Sequence, residues 1–244
     1  MLLLPQASTS AARMQSYTVD EIQLVSQRAD GTLGDAAASL LAISADGRYV
    51  AFESSATNLV ADDTNGVTDI FVKDRQTGAL ERVSVSSSGV QANGASSYPS
   101  ISGDGRYVAF ASDADNLVSG DTYGYKDVFV YDRTLDTIER VSVTSAGAED
   151  FGYSTMPSIS ADGSLVAFVS AAVLAAPDSD YIADIYVHNR LTHTTSVVSV
   201  TSGGAKAMGF ANFLRSVRMA AMWHLSPGLP TWSVVIPTMC LIFL

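Results

Sequence analysis

The stretch Ile101–Phe110, ISGDGRYVAF, decides the fold of this chain because it occurs three times. The near-copies are ISADGRYVAF at Ile43–Phe52 and ISADGSLVAF at Ile159–Phe168. The intervals from 43 to 101 and from 101 to 159 are both 58 residues. A constant interval between near-copies is typical of a repeated structural unit. The sequence therefore predicts three copies of one supersecondary unit.

Each repeat contains four short extended segments, which in the first copy are Ser39–Ser44, Arg48–Glu53, Asp69–Asp74 and Leu80–Val85. Asp46-Gly47 separates the first two segments and is a strong hairpin-turn signal. The segments are rich in β-branched and aromatic residues, which favour strands. The repeats span about 39–85, 97–143 and 155–200, and residues 22–27 match the last strand of a preceding unit.

The strands of the repeat are apolar at successive positions, as in Tyr49, Val50, Ala51 and Phe52. A continuous apolar run of this length indicates a strand that is covered on both faces. Four-stranded sheets stacked face to face, as in the blades of a β-propeller, provide that cover. A parallel β-helix is the rival architecture, but its repeats are usually shorter and the Asp-Gly signals favour antiparallel hairpins. We therefore predict an all-β fold.

Together with the segments that follow it, the repeated phrase also resembles a known family. ISADGRYVAF, followed by NLV at Asn58–Val60, then DTNG and DIFVKDRQTG, is similar to the WD40-like propeller repeat of the TolB type. The resemblance covers about residues 22–213 and implies a partial propeller of three four-stranded blades plus one N-terminal strand. The repeat serves many bacterial envelope and secreted proteins, so it implies a periplasmic or secreted location.

The resemblance favours a non-catalytic module that binds a protein or a glycan. Such a fold does not determine which ligand is bound. Two alternatives stay open. One is the propeller half of a prolyl-oligopeptidase-like serine peptidase without its hydrolase domain, and the other is a calcium-dependent, adhesin-like repeat. We expect the chain to be a fragment of a longer protein.

Charge and hydropathy exclude some partners. The 244 residues carry a formal net charge of −11, which opposes binding to nucleic acids and to anionic lipid surfaces. We predict no transmembrane span, since the apolar segment Thr231–Leu244 is too short and contains Pro237. Cys240 is the only cysteine, so no intrachain disulfide can form.

The two ends of the chain do not follow the repeat. Residues 1–20 are expected to be a loose lead-in, and Leu214–Leu244 contains no acidic residue. MAAMWHL at Met219–Leu225 is what codons for DGRYVAF give when read one base later, so we interpret residues 214–244 as a frameshifted fourth blade. An incomplete ring would leave a blade face uncovered at each end, which predicts self-association.

The loop between the second and third strands is the best candidate for chemistry. Its acidic and amide side chains recur at positions that could gather oxygens around Ca²⁺, which takes six to eight oxygen ligands. The alternative is that the first carboxylate makes an Asx-turn and the last ties down the start of the third strand. The candidate ligands are Asp63, Asn65 and Asp69 in the first repeat, Asp121 and Asp127 in the second, and Asp178, Asp180 and Asp184 in the third.

Motifs for catalysis and cofactor binding are missing from the sequence. No G-x-S-x-G nucleophile elbow is present, and neither a Cys/His metal motif nor a phosphate-binding glycine loop occurs. His188 takes the place of Lys73 and Tyr131 in the other repeats, so we predict that it lies at the surface. We therefore predict a protein that is not an enzyme and needs no cofactor, calcium being the one candidate.

Overall fold

The computed structural model describes residues 23–206, so the predicted lead-in at 1–20 and the frameshift hypothesis for 214–244 lie outside the described residues. Within 23–206 no helix is long and apolar enough to cross a membrane. Every element in this range is a strand. They are β1 (Ala38–Ile43), β2 (Tyr49–Ser54), β3 (Asp69–Asp74), β4 (Leu80–Arg82), β5 (Ser96–Ile101), β6 (Tyr107–Ser112), β7 (Asp127–Asp132), β8 (Thr137–Arg140), β9 (Ser154–Ile159), β10 (Leu165–Ser170), β11 (Asp184–Asn189) and β12 (Thr194–Val197).

The strands form three four-stranded antiparallel sheets, each paired in chain order. We call them blade one (β1–β4), blade two (β5–β8) and blade three (β9–β12). The first strands of neighbouring blades lie beside one another, and the sheets stack through their apolar faces. This arrangement confirms the prediction of an all-β partial propeller and excludes the parallel β-helix. The predicted N-terminal strand is represented by a single antiparallel bridge between Gln27 and Leu33.

The core lies between the blades, as the continuous apolar runs predict. Val72 of blade one and Phe110 of blade two belong to the first inter-blade cluster, and both are at most 1% exposed. Val130 of blade two and Phe168 of blade three belong to the second. The central strands of blade two, β6 and β7, are covered on both faces, so burial of their alternate side chains stabilises two interfaces at once.

The Asp-Gly turns are hairpin turns, as predicted, and they also join neighbouring blades. Gly105 has a φ of 74°, and a Cβ built there would lie 2.2 Å from the Tyr49 ring of the preceding blade. The Arg133 guanidinium lies 4.3 Å from the centre of the same ring and pairs with Glu81 of blade one. A side chain at position 105 would therefore clash with the Tyr49 ring and disrupt its cation–π contact with Arg133.

The innermost strand of each blade contains a β-bulge at the same repeat position. The bulge residues Leu40, Tyr98 and Met156 have φ values of 40°, 57° and 52°, which bulky residues rarely adopt. The register shifts around each of them. A bulge bends a strand and redirects its side chains, so these three residues are turned away from the regular pleat.

The two exposed ends of the stack differ within the described residues. Residues 23–33 lie over blade one, where Val25 packs on the cluster that contains Phe52 and Phe71. The outward face of blade three is partly exposed, although its counterparts in blade two are fully buried. The partly exposed residues are Ala167, Ile185, Val187 and Val198, so self-association through this face stays a prediction.

Candidate functional site

In blade two, the last segment of the loop between β6 and β7, Asp121–Asp127, begins and ends with acidic side chains that cluster around one arginine. Arg140 Nη1 lies 3.3 Å from Asp121 Oδ1 and 3.2 Å from Asp127 Oδ2, and it also pairs with Glu149. The three carboxylates each place an oxygen within 4.8 Å of the other two. Arg140 Nη2 donates to the Gly120 carbonyl at 3.0 Å. One guanidinium therefore joins both ends of this segment to the connection that follows blade two.

This cluster is buried and only partly neutralised. The Asp121 side chain is 1% exposed, and its Oδ2 has no hydrogen-bond partner among the described residues. Burial, reinforced by the charge of Asp127, raises the pKa of Asp121 to about 6 despite the nearby Arg140. Burial also raises the pKa of Asp127, although hydrogen bonds and the guanidinium oppose it. Burial alone would raise the pKa of Glu149, but its hydrogen bonds from Thr122 and Arg140 prevail and lower it.

Blade one builds the same cluster with fewer charges. Arg82 Nη1 lies 3.0 Å from Asp63 Oδ1 and 3.6 Å from Asp69 Oδ2. Asn65 Nδ2 donates to Asp69 Oδ2 at 2.9 Å, while its Oδ1 accepts from the Val67 amide at 3.2 Å. Burial, together with the charge of Asp69, raises the pKa of Asp63. The predicted oxygen ligand Asn65 is therefore engaged within the loop as an Asx-turn.

Blade three holds its carboxylates with a lysine from a different part of the repeat. Lys206 Nζ lies 2.7 Å from Asp178 Oδ1 and 2.7 Å from Asp184 Oδ2, and it also pairs with Asp180. Burial would lower the pKa of Lys206, but the hydrogen bonds that its ammonium donates to these carboxylates outweigh burial and raise it. The Tyr186 hydroxyl donates to Asp178 Oδ2 and lies 2.9 Å from the Ala172 carbonyl oxygen.

The structure thus brings the predicted ligands of each repeat together, around a cation that belongs to the protein. The last carboxylate of each set also accepts a hydrogen bond from a serine hydroxyl just beyond the fourth strand, at 2.5 Å from Ser84 to Asp69 and 2.6 Å from Ser142 to Asp127. The same hydroxyls accept hydrogen bonds from the backbone amide of the residue that follows the aspartate. These bonds tie down the start of the third strand, as the alternative interpretation predicts. Calcium binding by these loops stays a prediction.

The same loop of blade two displays aromatic side chains. Tyr123 and Tyr125 stand between the two anchored aspartates, and each ring contacts Phe151 edge-on at a centroid distance of 5.1 Å. Phe151 follows Glu149, which Arg140 also holds. The buried cluster therefore positions an exposed aromatic group on both segments that it joins.

Of these aromatic residues, Tyr125 lines an open cleft of about 640 Å³ to which all three blades contribute. Tyr98 comes from the bulge of β5, Tyr125 from the loop of blade two, and Tyr153 from the residue before β9. The three side chains are 36%, 37% and 41% exposed. The other lining residues are Leu40, Glu53, Ser97, Asp113, Gly124, Lys126 and Thr155.

Polar groups with fixed partners complete the cleft. Glu53 accepts hydrogen bonds from the Ser39 hydroxyl at 2.9 Å and from the Tyr98 amide at 3.2 Å. Lys126 Nζ lies 2.9 Å from Asp113 Oδ2. The cleft therefore combines three exposed rings with two acidic groups and one cationic group, all on short, hydrogen-bonded segments.

Sequence reasoning missed this cleft because its residues come from three different repeats. A signal was present in the sequence, since blade two has Tyr123 and Tyr125 where blade one has Asn65 and Val67. An aromatic residue that departs from a repeated pattern in a polar loop has no core role to explain it. Departures from the repeat, and not the repeat itself, mark this site.

The prediction that His188 lies at the surface is wrong. His188 is 2% exposed, because the blade-two to blade-three interface covers this position of β11. Its Nδ1 lies 2.9 Å from Thr195 Oγ1, and Thr195 in turn donates to the Val143 carbonyl at 2.5 Å. Burial lowers the pKa of His188. His188 therefore packs as a neutral side chain between two blades.

Comparisons with known proteins agree with the fold. No protein-family model and no curated protein matches the chain. Among solved structures it is similar to a TolB from Agrobacterium tumefaciens, at 18% identity over 66% of this chain and 48% of that one, with a TM-score of 0.43. It is also similar to the β-propeller domain of the Trilobed protease from Pyrococcus furiosus, at 12% identity over 66% and 41%, with a TM-score of 0.40.

A third similar structure is the acylaminoacyl peptidase from Pyrococcus horikoshii, at 15% identity over 67% of this chain and 24% of that one, with a TM-score of 0.39. The chain thus spans about half the length of the TolB structure and less of the others. The three stacked four-stranded antiparallel sheets make the described part of the chain a partial β-propeller.

Proposed function

We propose that the chain is a non-catalytic recognition module that holds a protein or glycan segment in the cleft of Tyr98, Tyr125 and Tyr153. The observation that supports this function is the clustering of exposed rings from three blades at one cleft. Tyrosine supplies a large, rigid contact surface with a polar tip, and it is enriched at binding surfaces for that reason. The cleft volume also lies within the range of about 300–1,000 Å³ of ligand sites.

The acidic clusters serve this function as anchors. Arg140 ties the loop that carries Tyr125 to the connection that carries Phe151. A loop segment held at both of its ends loses little conformational entropy on binding, so its rings are preorganised for a ligand. Ca²⁺ would strengthen such an anchor in the adhesin-like alternative, and its binding is a separate test.

We place the module in the periplasm or outside the cell, as part of a longer protein, on the resemblance of its repeat to envelope and secreted proteins. Fractionation of cells that express the native gene tests the location. Recovery with cytoplasmic markers would contradict it. A peptidase that uses this propeller would instead require a hydrolase domain encoded beside it, which the flanking DNA can show.

The binding function is tested by titrating the chain with a defined panel of short oligosaccharides and peptides. We expect at least one probe to bind saturably, and Tyr98→Ala combined with Tyr125→Ala to abolish that binding. Tyr181→Ala is the matched control, since Tyr181 is 63% exposed and lies outside the cleft. Binding that survives the double substitution, or no saturable binding at all, would refute the proposal.

A further inference from the structure

We infer that the cleft takes a neutral oligosaccharide, an inference that rests on the proposed recognition function. A neutral pyranose has an apolar face of C–H groups and a rim of hydroxyls that both donate and accept hydrogen bonds. The exposed tyrosine rings of the cleft can stack on the apolar face of such a sugar. The ionic groups of the cleft can form hydrogen bonds with its hydroxyls. Nucleic acids and other polyanions are disfavoured by the net charge of −11.

The rings are placed for stacking. Tyr98, Tyr125 and Tyr153 are each between about a third and two fifths exposed, so each residue is partly buried and partly free to meet a ligand. A ring fixed at its base presents its negatively charged face to C–H groups at small entropic cost. The edge-on contact with Phe151 fixes the Tyr125 ring.

The ionic groups favour a neutral ligand over an anionic one. Lys126 neutralises Asp113 at 2.9 Å, so this pair can accept and donate without a net charge. Glu53 is held by Ser39 and Tyr98 and has no cation among its hydrogen-bond partners in the described residues. An acidic sugar would meet an uncompensated carboxylate there, and like charges repel at short range.

An extended peptide fits the cleft less well. Peptides commonly bind an open sheet edge by adding a strand, which requires a regular ladder of free backbone groups. The bulges at Leu40 and Tyr98 interrupt the innermost strands where they line the cleft. The Tyr98 amide already donates to Glu53, so the backbone at this point is not available for a new ladder.

The experiment is calorimetric and NMR titration of the whole chain with four probes at matched concentration. These are cellotetraose, chitotetraose, the anionic tetragalacturonate and an uncharged octapeptide of alternating valine and threonine. We expect saturable binding of at least one neutral tetraose, with shifts of the tyrosine ring signals. Tyr125→Ala should weaken that binding about tenfold or more, as for a central aromatic contact, while Tyr181→Ala leaves it unchanged.

Glu53→Gln separates the charge argument from the stacking argument. This substitution keeps a hydrogen-bond acceptor and removes the negative charge, so it should preserve neutral binding and improve binding of tetragalacturonate. Cleft-dependent binding of the peptide or of tetragalacturonate to the unsubstituted chain, with no neutral binding, would overturn this inference but leave the recognition function standing. If no probe binds, or if Tyr125→Ala has no effect on binding, both fall. Circular dichroism and thermal unfolding of each variant confirm that it folds.

Discussion

Blades two and three solve the same electrostatic problem with different residues. In blade two, Arg140 of the fourth strand lies among Asp121, Asp127 and Glu149. The third repeat is one residue shorter than the second, so Arg140 aligns with Val197 and Glu149 aligns with Lys206. The positive charge therefore comes from a different segment in each of the two blades, but in both it lies among the carboxylates.

A third position changes with these two. Phe129 of blade two corresponds to Tyr186 of blade three, and both pair with the fourth-strand residue opposite, Arg140 and Val197 respectively. The Tyr186 hydroxyl bonds Asp178 on the side where blade two has its guanidinium. A small aliphatic residue, a hydroxyl and a lysine together replace arginine, phenylalanine and glutamate. The comparison teaches that the fold requires a cation at this place and not a particular residue.

Removal of the blade-two cation should have the largest effect. Arg140→Met leaves three buried carboxylates without a counter-charge, and breaking a buried ion pair in this way costs about 3–5 kcal/mol. We expect the free energy of unfolding in urea to fall by that amount. Arg28→Met is the control, since Arg28 pairs with Asp30 at the surface and such pairs contribute about 0–1 kcal/mol. Equal effects of the two substitutions would show that the cluster does not depend on Arg140.

A swap between the blades sharpens the comparison. Lys206→Glu places a fourth carboxylate in blade three and should destabilise the chain by several kcal/mol, on the order of the Arg140 effect. Adding Val197→Arg and Tyr186→Phe recreates the blade-two set, and we expect it to restore most of the lost stability. Urea unfolding of the single and triple variants measures this. A triple variant no more stable than Lys206→Glu would mean that the three positions are not coupled.

The tyrosine hydroxyl of blade three contributes a smaller amount. Tyr186→Phe removes a buried hydroxyl that bonds the charged Asp178, and hydrogen bonds to charged groups are worth about 1.5–3 kcal/mol. We expect a loss of stability in this range. Tyr131→Phe is the matched substitution in blade two, where the hydroxyl bonds Asp136 in a turn at 3.2 Å and should matter less.

The pH dependence of stability should have opposite signs for Asp121 of blade two and Asp178 of blade three. Burial raises the pKa of Asp121 to about 6, against about 4 in the unfolded chain. The folded chain therefore holds a proton that the unfolded chain has lost, and this contribution to stability disappears as pH rises from about 4 to 6. Burial would raise the pKa of Asp178 too, but Lys206 and Tyr186 outweigh it and lower the pKa. Its contribution is present above about pH 4 and is lost as pH falls below that.

Unfolding free energies of Asp121→Asn and Asp178→Asn, measured in urea from about pH 3 to about pH 7, test these signs. Asp121→Asn should remove a decline of stability between about pH 4 and 6. Asp178→Asn should instead remove a loss of stability on acidification. The same pH profile for both variants would contradict the difference between the clusters.

The sequence predicted the fold well because the repeat states each element three times. Asp69–Asp74 is a strand with the predicted bounds, and the Asp46-Gly47 turn joins β1 and β2 as expected. The bulges could not be predicted, since Leu40 and Tyr98 are ordinary strand residues by propensity. They occur in the first strands, which lie beside the first strands of the neighbouring blades, a relation that only the stacking of the blades creates.

The site was harder to predict for two physical reasons. The loop carboxylates were identified, but their counter-ion was not, since Lys206 and Arg140 occupy different repeat positions. A search for periodicity identifies residues that recur at the same position of each repeat, and it misses a positive charge that a different segment supplies in each blade. The cleft joins Tyr98 to Tyr153 across two blades, and only the stacking of the blades makes them neighbours.

Calorimetric titration of the intact chain with Ca²⁺ tests most directly whether the protein supplies its own cation to each cluster. If Arg82, Arg140 and Lys206 fill these positions, the unsubstituted chain gives no saturable heat. Arg140→Met, with its three carboxylates freed, should then bind Ca²⁺ and regain thermal stability in its presence. Saturable Ca²⁺ binding by the unsubstituted chain that Asp121→Asn or Asp178→Asn abolishes would contradict the assignment of the cation to the protein.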